Sequence, residues 1–189
     1  MLRIGIDLDD VLAQTYNYIL SSEILGVKLN LEDLKDFNYY KFIPGLDRER
    51  GLEIYINKLL DDEKNLVIKP MPGAIEKVKL FKQMGYELQV ITGRHKTLKN
   101  HTYNWIDKYF PDLFSKIHIT QSYIPGEKTK GEVCKEENID IIIDDIPHFI
   151  GGTIDEKLKI YLFNRPWNED YISSNKNLTR FDSWKNIVI

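Results

Sequence analysis

Cysteine is almost missing: Cys134 is the single thiol among 189 residues. That excludes an internal disulfide framework and a cysteine-based zinc cluster. No apolar run approaches the roughly 20 residues needed to span a bilayer. The opening segment Met1–Asp7 meets an acid too soon to serve as a secretory signal. Charge of one sign is lacking too. With 26 Lys and Arg against 29 Asp and Glu, the formal charge is −3, which gives no electrostatic reason to expect polymeric nucleic acid as a partner. Repeats and low-complexity segments are also absent. These gaps predict a cytoplasmic chain with no membrane partner.

What remains is 42% hydrophobic and 29% charged, the composition of a folded globular protein. Five short apolar segments read as buried strands: Leu2–Leu8, Glu87–Ile91, Lys116–Thr120, Ile139–Ile143 and Leu158–Phe163. Helical patterns lie between them. Pro72 and Gly85 bracket a helix over Gly73–Met84, Lys96–Phe110 forms another ending at Pro111, and Thr129 can cap a short third to Asn138. Such alternation predicts an α/β fold with a Rossmann-like, doubly wound parallel sheet, in which ligands bind beyond the carboxyl ends of the strands. The stretch between Val11 and Met71 breaks the alternation, with helix-like runs at Leu12–Leu25, Leu31–Asp36 and Arg48–Asp62. It is expected to be a small helical cap inserted after the first strand. The expected division is a core of residues 1–11 and 72–189 and a cap of residues 12–71.

Four clusters at strand ends carry candidate chemistry. Asp7 and Asp9 share a face of an extended segment, so both can address one point beyond the first strand. Two carboxylates there repel unless a cation or a shared proton relieves them, and Mg²⁺ suits oxygen ligands of this kind. The alternative is an acidic turn capping the next helix. Asp144 and Asp145 follow Ile141–Ile143 in the same manner, with solvated turn residues as the alternative. Thr92, Gly93 and Arg94 end another strand, where a hydroxyl and a glycine amide can hold phosphate oxygens, although Thr-Gly is also an ordinary turn. Lys128 and Lys130 precede a helix shortly before Asp144, and either could neutralise phosphate and carboxylate.

In this order, Asp7-x-Asp9-x-Val11, Thr92-Gly93-Arg94, a lysine and Asp144-Asp145 resemble the haloacid dehalogenase-like (HAD) phosphatase superfamily over Leu2–Asp145. The helical insertion, the Ile143-Asp144-Asp145-x-Pro147-His148 form of the last motif, and Phe163-Asn164-Arg165-Pro166-Trp167-Asn168 are most similar to the 5′(3′)-deoxyribonucleotidase branch. The resemblance implies a Mg²⁺-dependent phosphomonoesterase working through an aspartyl-phosphate. Asp7 would be the nucleophile, and Asp9 the acid that protonates the leaving alkoxide and then activates water. Mg²⁺ would be held by Asp7, the backbone carbonyl of Asp9 and Asp145, with Asp144 adjacent. Thr92 and Gly93 would bind phosphate, with Lys130, or else Lys128, as the bridging lysine. For this division of labour Asp9 should stay protonated while the metal keeps Asp7 anionic.

The substrate is expected to be a small phosphorylated molecule, a nucleoside monophosphate above all, with a homodimer left open. The cap is rich in aromatics (Tyr16, Tyr18, Phe37, Tyr39, Tyr40, Phe42). A base could stack on one or two of them, while the others build the cap's own core. Phe37, Tyr39, Tyr40 and Arg94 are the residues expected at the substrate. Trp167 and Asn168 either line the site or cover a sheet edge. His95, His101 and His118 show no metal-ligand spacing. His148 reads as a helix-start or surface residue, and Cys134 as buried in a helix. Two other readings compete: a phosphatase for another small metabolite, and a phosphoacceptor receiver module. The insertion and the acid at Asp9 argue against the second.

Overall fold

The computed structural model describes residues 1–147, 157–172 and 176–189; His148 lies outside the described residues. β1 (Arg3–Ile6) runs through the middle of a six-stranded parallel sheet in the order β3-β2-β1-β4-β5-β6. The others are β2 (Glu87–Thr92), β3 (Lys116–Ile119), β4 (Ile141–Asp144), β5 (Lys159–Phe163) and β6 (Leu178–Phe181). β1 and β4 are almost fully buried, as near-continuous Ile in a strand covered on both faces requires. Because β2 and β4 pair with opposite edges of β1, the chain reverses its winding there. A crevice opens at the carboxyl ends of these three strands.

The covering helices are α3 (Ala74–Gln83), α4 (Lys99–Tyr109) and α5 (Lys130–Glu136), each near its expected place. Gly73 starts α3 at φ 83°, a left-handed conformation that costs glycine little. Thr129 caps α5 in a reciprocal capping box with Glu132. β6 is a strand the sequence did not disclose: its two apolar residues, Leu178 and Phe181, lie three apart and do not alternate.

The insertion after β1 is helical but less regular than its sequence suggests. Of the run Leu12–Leu25 only α1 (Thr15–Ile19) is α-helical. Its start is delayed because Ala13 bridges to Asp9 and Pro70. Its end comes where Ser21 Oγ donates back to the Tyr18 carbonyl at 2.7 Å. Leu31–Asp36 shrinks to one 3₁₀ turn, Leu31–Asp33. α2 (Arg48–Asp62) matches its expected span, with Asp47 Oδ1 accepting from Arg50 N–H at 2.8 Å. α2 links the two parts: Ile54 packs with Ile19, Leu34 and Tyr39 in the insertion, while Leu59 is buried in the main core. Among the described residues no helix is long and apolar enough to cross a membrane.

Candidate active site

Beyond Ile6 the β1 ladder continues for one more bond, Asp7 N–H donating to the Ile143 carbonyl at 2.9 Å. That bond seats Asp7 between Thr92, the last residue of β2, and Asp144, the last of β4. Asp7, Asp144 and Asp145 are all buried, and each offers a carboxylate oxygen within 4.8 Å of the others. Lys130, in the first turn of α5 and equally buried, places Nζ 2.7 Å from Asp144 Oδ2 and 3.0 Å from Asp7 Oδ1. Burial alone would lower the pKa of this ammonium, but the charges of Asp144 and Asp7 outweigh it and raise it. Lys128 is exposed and pairs with Glu136 at 2.7 Å, so it is not part of this cluster. One residue before the cap faces solvent; one residue after it faces the sheet.

Three buried acids against one lysine leave the cluster short of positive charge. Burial, reinforced by the Asp144 and Asp9 charges and opposed by Lys130, pushes Asp7 from its usual 3.8 up to about 7. Burial and the Asp7 charge likewise raise Asp145. Asp145 Oδ1 is buried and accepts no hydrogen bond, and Asp7 Oδ1 faces the Lys130 ammonium at 3.0 Å. The other Asp145 oxygen accepts from Trp167 Nε1 at 2.9 Å, and Asn168 Nδ2 donates to the Asp145 carbonyl at 2.8 Å. Trp167 and Asn168 thus brace the site. Convergent, buried carboxylate oxygens with one ammonium among them suit a hard divalent cation.

Asp9 is placed differently from the expectation that its carboxylate would share the cation's surroundings. Its side chain turns to Arg94, whose Nη2 and Nε donate to it at 2.7 and 2.9 Å, and Thr15 Oγ1 adds a bond at 2.5 Å. Tyr55, on α2, also donates to it. Burial works to raise the Asp9 pKa, but the Arg94 charge and these hydrogen bonds prevail and hold it below the usual carboxylate value. In the metal-free protein the order of the pair is therefore the reverse of the one anticipated. Arg94 lines the cavity, with most of its donors engaged inside the protein. It is 2% exposed, and its remaining donors go to His101 Nδ1 and Thr102 Oγ1.

A cavity of about 380 Å³ opens over Asp7, Gly93 and Lys130. Phe37, Tyr39, Tyr40 and Tyr55 wall it from the insertion side, and Arg48 stands at it with Nη2 on the Tyr123 carbonyl. Tyr39 is largely a packing residue, buried with its hydroxyl on the Gly51 carbonyl at 2.6 Å. Tyr18 and Phe42 pack in the insertion's own cluster. Tyr40 lies so close to Gly51 that a Cβ there would come within 2.7 Å of the Tyr40 Cβ. Thr92 is fully buried at the β2 terminus, its Oγ1 accepting the Arg94 N–H at 3.3 Å, while Gly93 faces the cavity. Thr15 and Tyr55 carried no signal in the sequence, since neither stands at a strand end; Arg165, in the motif that follows β5, donates from Nε to the Asp10 carbonyl at 2.8 Å.

The whole chain, residues 1–189, matches the model of the family described as "5′ nucleotidase, deoxy (Pyrimidine), cytosolic type C protein". The chain belongs to this nucleotidase family. Membership makes it a phosphoric monoester hydrolase of HAD type. A Bacillus cereus protein with a provisional nucleotidase name is 25% identical over 97% of this chain and 94% of its own. An Oceanobacillus iheyensis protein with a similar name is 24% identical over 100% and 98%. Among solved structures, a predicted phosphoglycolate phosphatase from Haemophilus somnus superposes with a TM-score of 0.64 at 15% identity, covering 97% of this chain and 95% of that one. A HAD-superfamily hydrolase from Ehrlichia chaffeensis gives 0.53 at 15% identity, covering 97% and 92%. Those likenesses concern the fold.

Proposed function

We propose that the chain is a Mg²⁺-dependent 5′(3′)-deoxyribonucleotidase that hydrolyses nucleoside monophosphates through an aspartyl-phosphate on Asp7, in the cytoplasm. The observation that carries this reading is Asp7 itself: a buried carboxylate at the floor of the cavity, 3.0 Å from the Lys130 ammonium and with an oxygen within 4.8 Å of those of Asp144 and Asp145. Residues 12–71 act as the cap that selects substrate, and residues 1–11 and 72–189 as the catalytic core.

Asp7, Asp145 and the backbone carbonyl of Asp9, with Asp144 adjacent, would hold Mg²⁺. When bound, the ion supplies positive charge to the phosphoryl oxygens and keeps Asp7 ionised. Asp7 then attacks phosphorus, forming an O–P bond as the bond to the leaving oxygen breaks. Lys130 and the amide of Gly93, with Thr92 beside it, neutralise and orient the phosphoryl oxygens. Asp9 gives its proton to the departing alkoxide, then takes one from the water that hydrolyses the acyl phosphate. A dianionic phosphoryl group entering beside Asp9 favours the protonated form that the first step needs, countering Arg94. Phe37 and Tyr40 offer ring faces for a base.

The direct test is phosphate release from dUMP, dTMP and a set of sugar phosphates, with Mg²⁺ and after chelation. Turnover of the nucleotides should exceed that of the sugar phosphates at least tenfold and vanish on chelation. Equal rates on both would remove the nucleotide preference and leave a phosphatase of another metabolite.

Metal binding should also be visible in stability. Folded and metal-free, Asp7 titrates near 7, against 3.8 ordinarily. Between those values the folded chain holds a proton that the unfolded chain releases, so this group's contribution to stability falls as pH rises across the window. A bound cation removes the need for that proton. The gain in melting temperature on adding Mg²⁺ should therefore grow from pH 5 to pH 8. A gain that is flat or shrinks over that range would count against metal binding at Asp7.

A further inference from the structure

From Asp9 a line of buried polar groups leads away from the cavity. Arg94 Nη1 lies 2.9 Å from His101 Nδ1, and His101 Nε2 lies 2.9 Å from Asp62 Oδ2. The side chains of Arg94, His101 and Asp62 are all 0% exposed. Asp62 is the last residue of α2, and its other oxygen accepts the Val67 N–H at 2.7 Å. The partners assign the protons. A guanidinium only donates, so His101 Nδ1 must accept; the ring's proton then sits on Nε2 and is donated to the Asp62 carboxylate. Seven residues before Asp62, two turns back on the same face of α2, Tyr55 donates to Asp9 directly. The Asp9 carboxylate is thus held at one end by α2 and at the other by an arginine whose own orientation ends on α2.

We propose that His101 is a positioning residue for Asp9, acting through Arg94, with Asp62 fixing the tautomer that makes this possible. The proposal rests on the role given above to Asp9. Its logic is that of a carboxylate orienting an imidazole, with the imidazole orienting a guanidinium instead of a nucleophile. With the proton on Nδ1 instead, two N–H groups would face each other, and Arg94 would have to swing away from Asp9.

Asp62→Asn keeps the shape of residue 62 but can donate to Nε2, which favours the wrong tautomer. The readout is kcat/KM for two phosphate esters, dUMP and p-nitrophenyl phosphate. An alkoxide needs a proton to leave and a nitrophenolate does not, so a misplaced acid penalises only the first. Asp62→Asn should lower kcat/KM for dUMP about tenfold or more, with less than a twofold change for the aryl ester. His101→Asn, whose amide oxygen can stand in for Nδ1 as the acceptor for Arg94, should restore most of the dUMP rate even if it melts earlier. Equal losses on both esters would reduce the relay to a packing role, and no loss in Asp62→Asn would overturn it. Imidazole nitrogen chemical shifts give a readout that does not depend on catalysis. In the wild type they should show neutral His101 with its proton on Nε2, and a proton on Nδ1 would overturn the proposal. If the wild type cleaves neither ester, the nucleotidase reading fails, and those shifts alone judge the relay.

Discussion

Asp7→Asn should lose phosphate release by about 10⁴-fold or more and yet melt no earlier than the wild type in the absence of metal. The first half follows from the attack itself. An amide at the floor of the cavity is a poor nucleophile, and removing the attacking group of a concerted site costs far more than removing a single orienting contact. The second half follows from burial. The Asp7 carboxyl is pushed up to about 7 because the folded chain disfavours its charge, so above that pH an amide of the same shape is relieved of a penalty the acid pays. Lys130 keeps its 2.7 Å bond to Asp144 in the variant. Loss of turnover with stability kept or gained is the behaviour of a strained functional group. An Asn variant within tenfold of the wild type would remove Asp7 from the role of nucleophile.

Lys130→Met should do the opposite to stability. The methionine stem is of similar length, but Asp7 and Asp144 are left buried without their cation. Removing one partner of a buried ion pair costs roughly 3–5 kcal/mol, which for a chain of this size is a fall in melting temperature of about 10 °C. Thermal denaturation checks it, and Mg²⁺ should recover part of the loss by supplying charge to the same carboxylates. Phosphate release should fall at least 100-fold, as for loss of a preorganised charge at the reacting oxygens. A variant that melts with the wild type would mean that the ammonium is not what balances the two acids.

These two experiments concern residues whose place was readable in the sequence, and the reason is local. β1, β2 and β4 are short apolar runs that end abruptly in polar residues, so Asp7, Thr92 and Asp144 declare both their strand and its end. The N-cap signal at Thr129 fixed the turn that points Lys130 inward, although it did not separate Lys130 from Lys128; that took the direction of α5 relative to the sheet. What stayed hidden was set by long-range packing. Thr15, Tyr55 and Arg94 meet on Asp9 from three separated segments, and nothing in the local pattern of any of them points to the others. The same holds for His101, whose pairing with Asp62 spans 39 residues. In the insertion, Leu12–Leu25 has helical periodicity, and the bridges made by Ala13 override it. β6 did not register because its two apolar residues, Leu178 and Phe181, fall on opposite faces of the strand.

The close approach of Gly51 to Tyr40 has a further consequence. Tyr40 and Gly51 both border the chamber, and the α2 backbone is bare at residue 51. The size of that chamber therefore depends on an atom that is not there. Adding one carbon at position 51 would bring it within 2.7 Å of the Tyr40 Cβ, so the ring that borders the chamber could not stay where it is. Selectivity by size can be tuned in this protein from a residue that has no side chain at all.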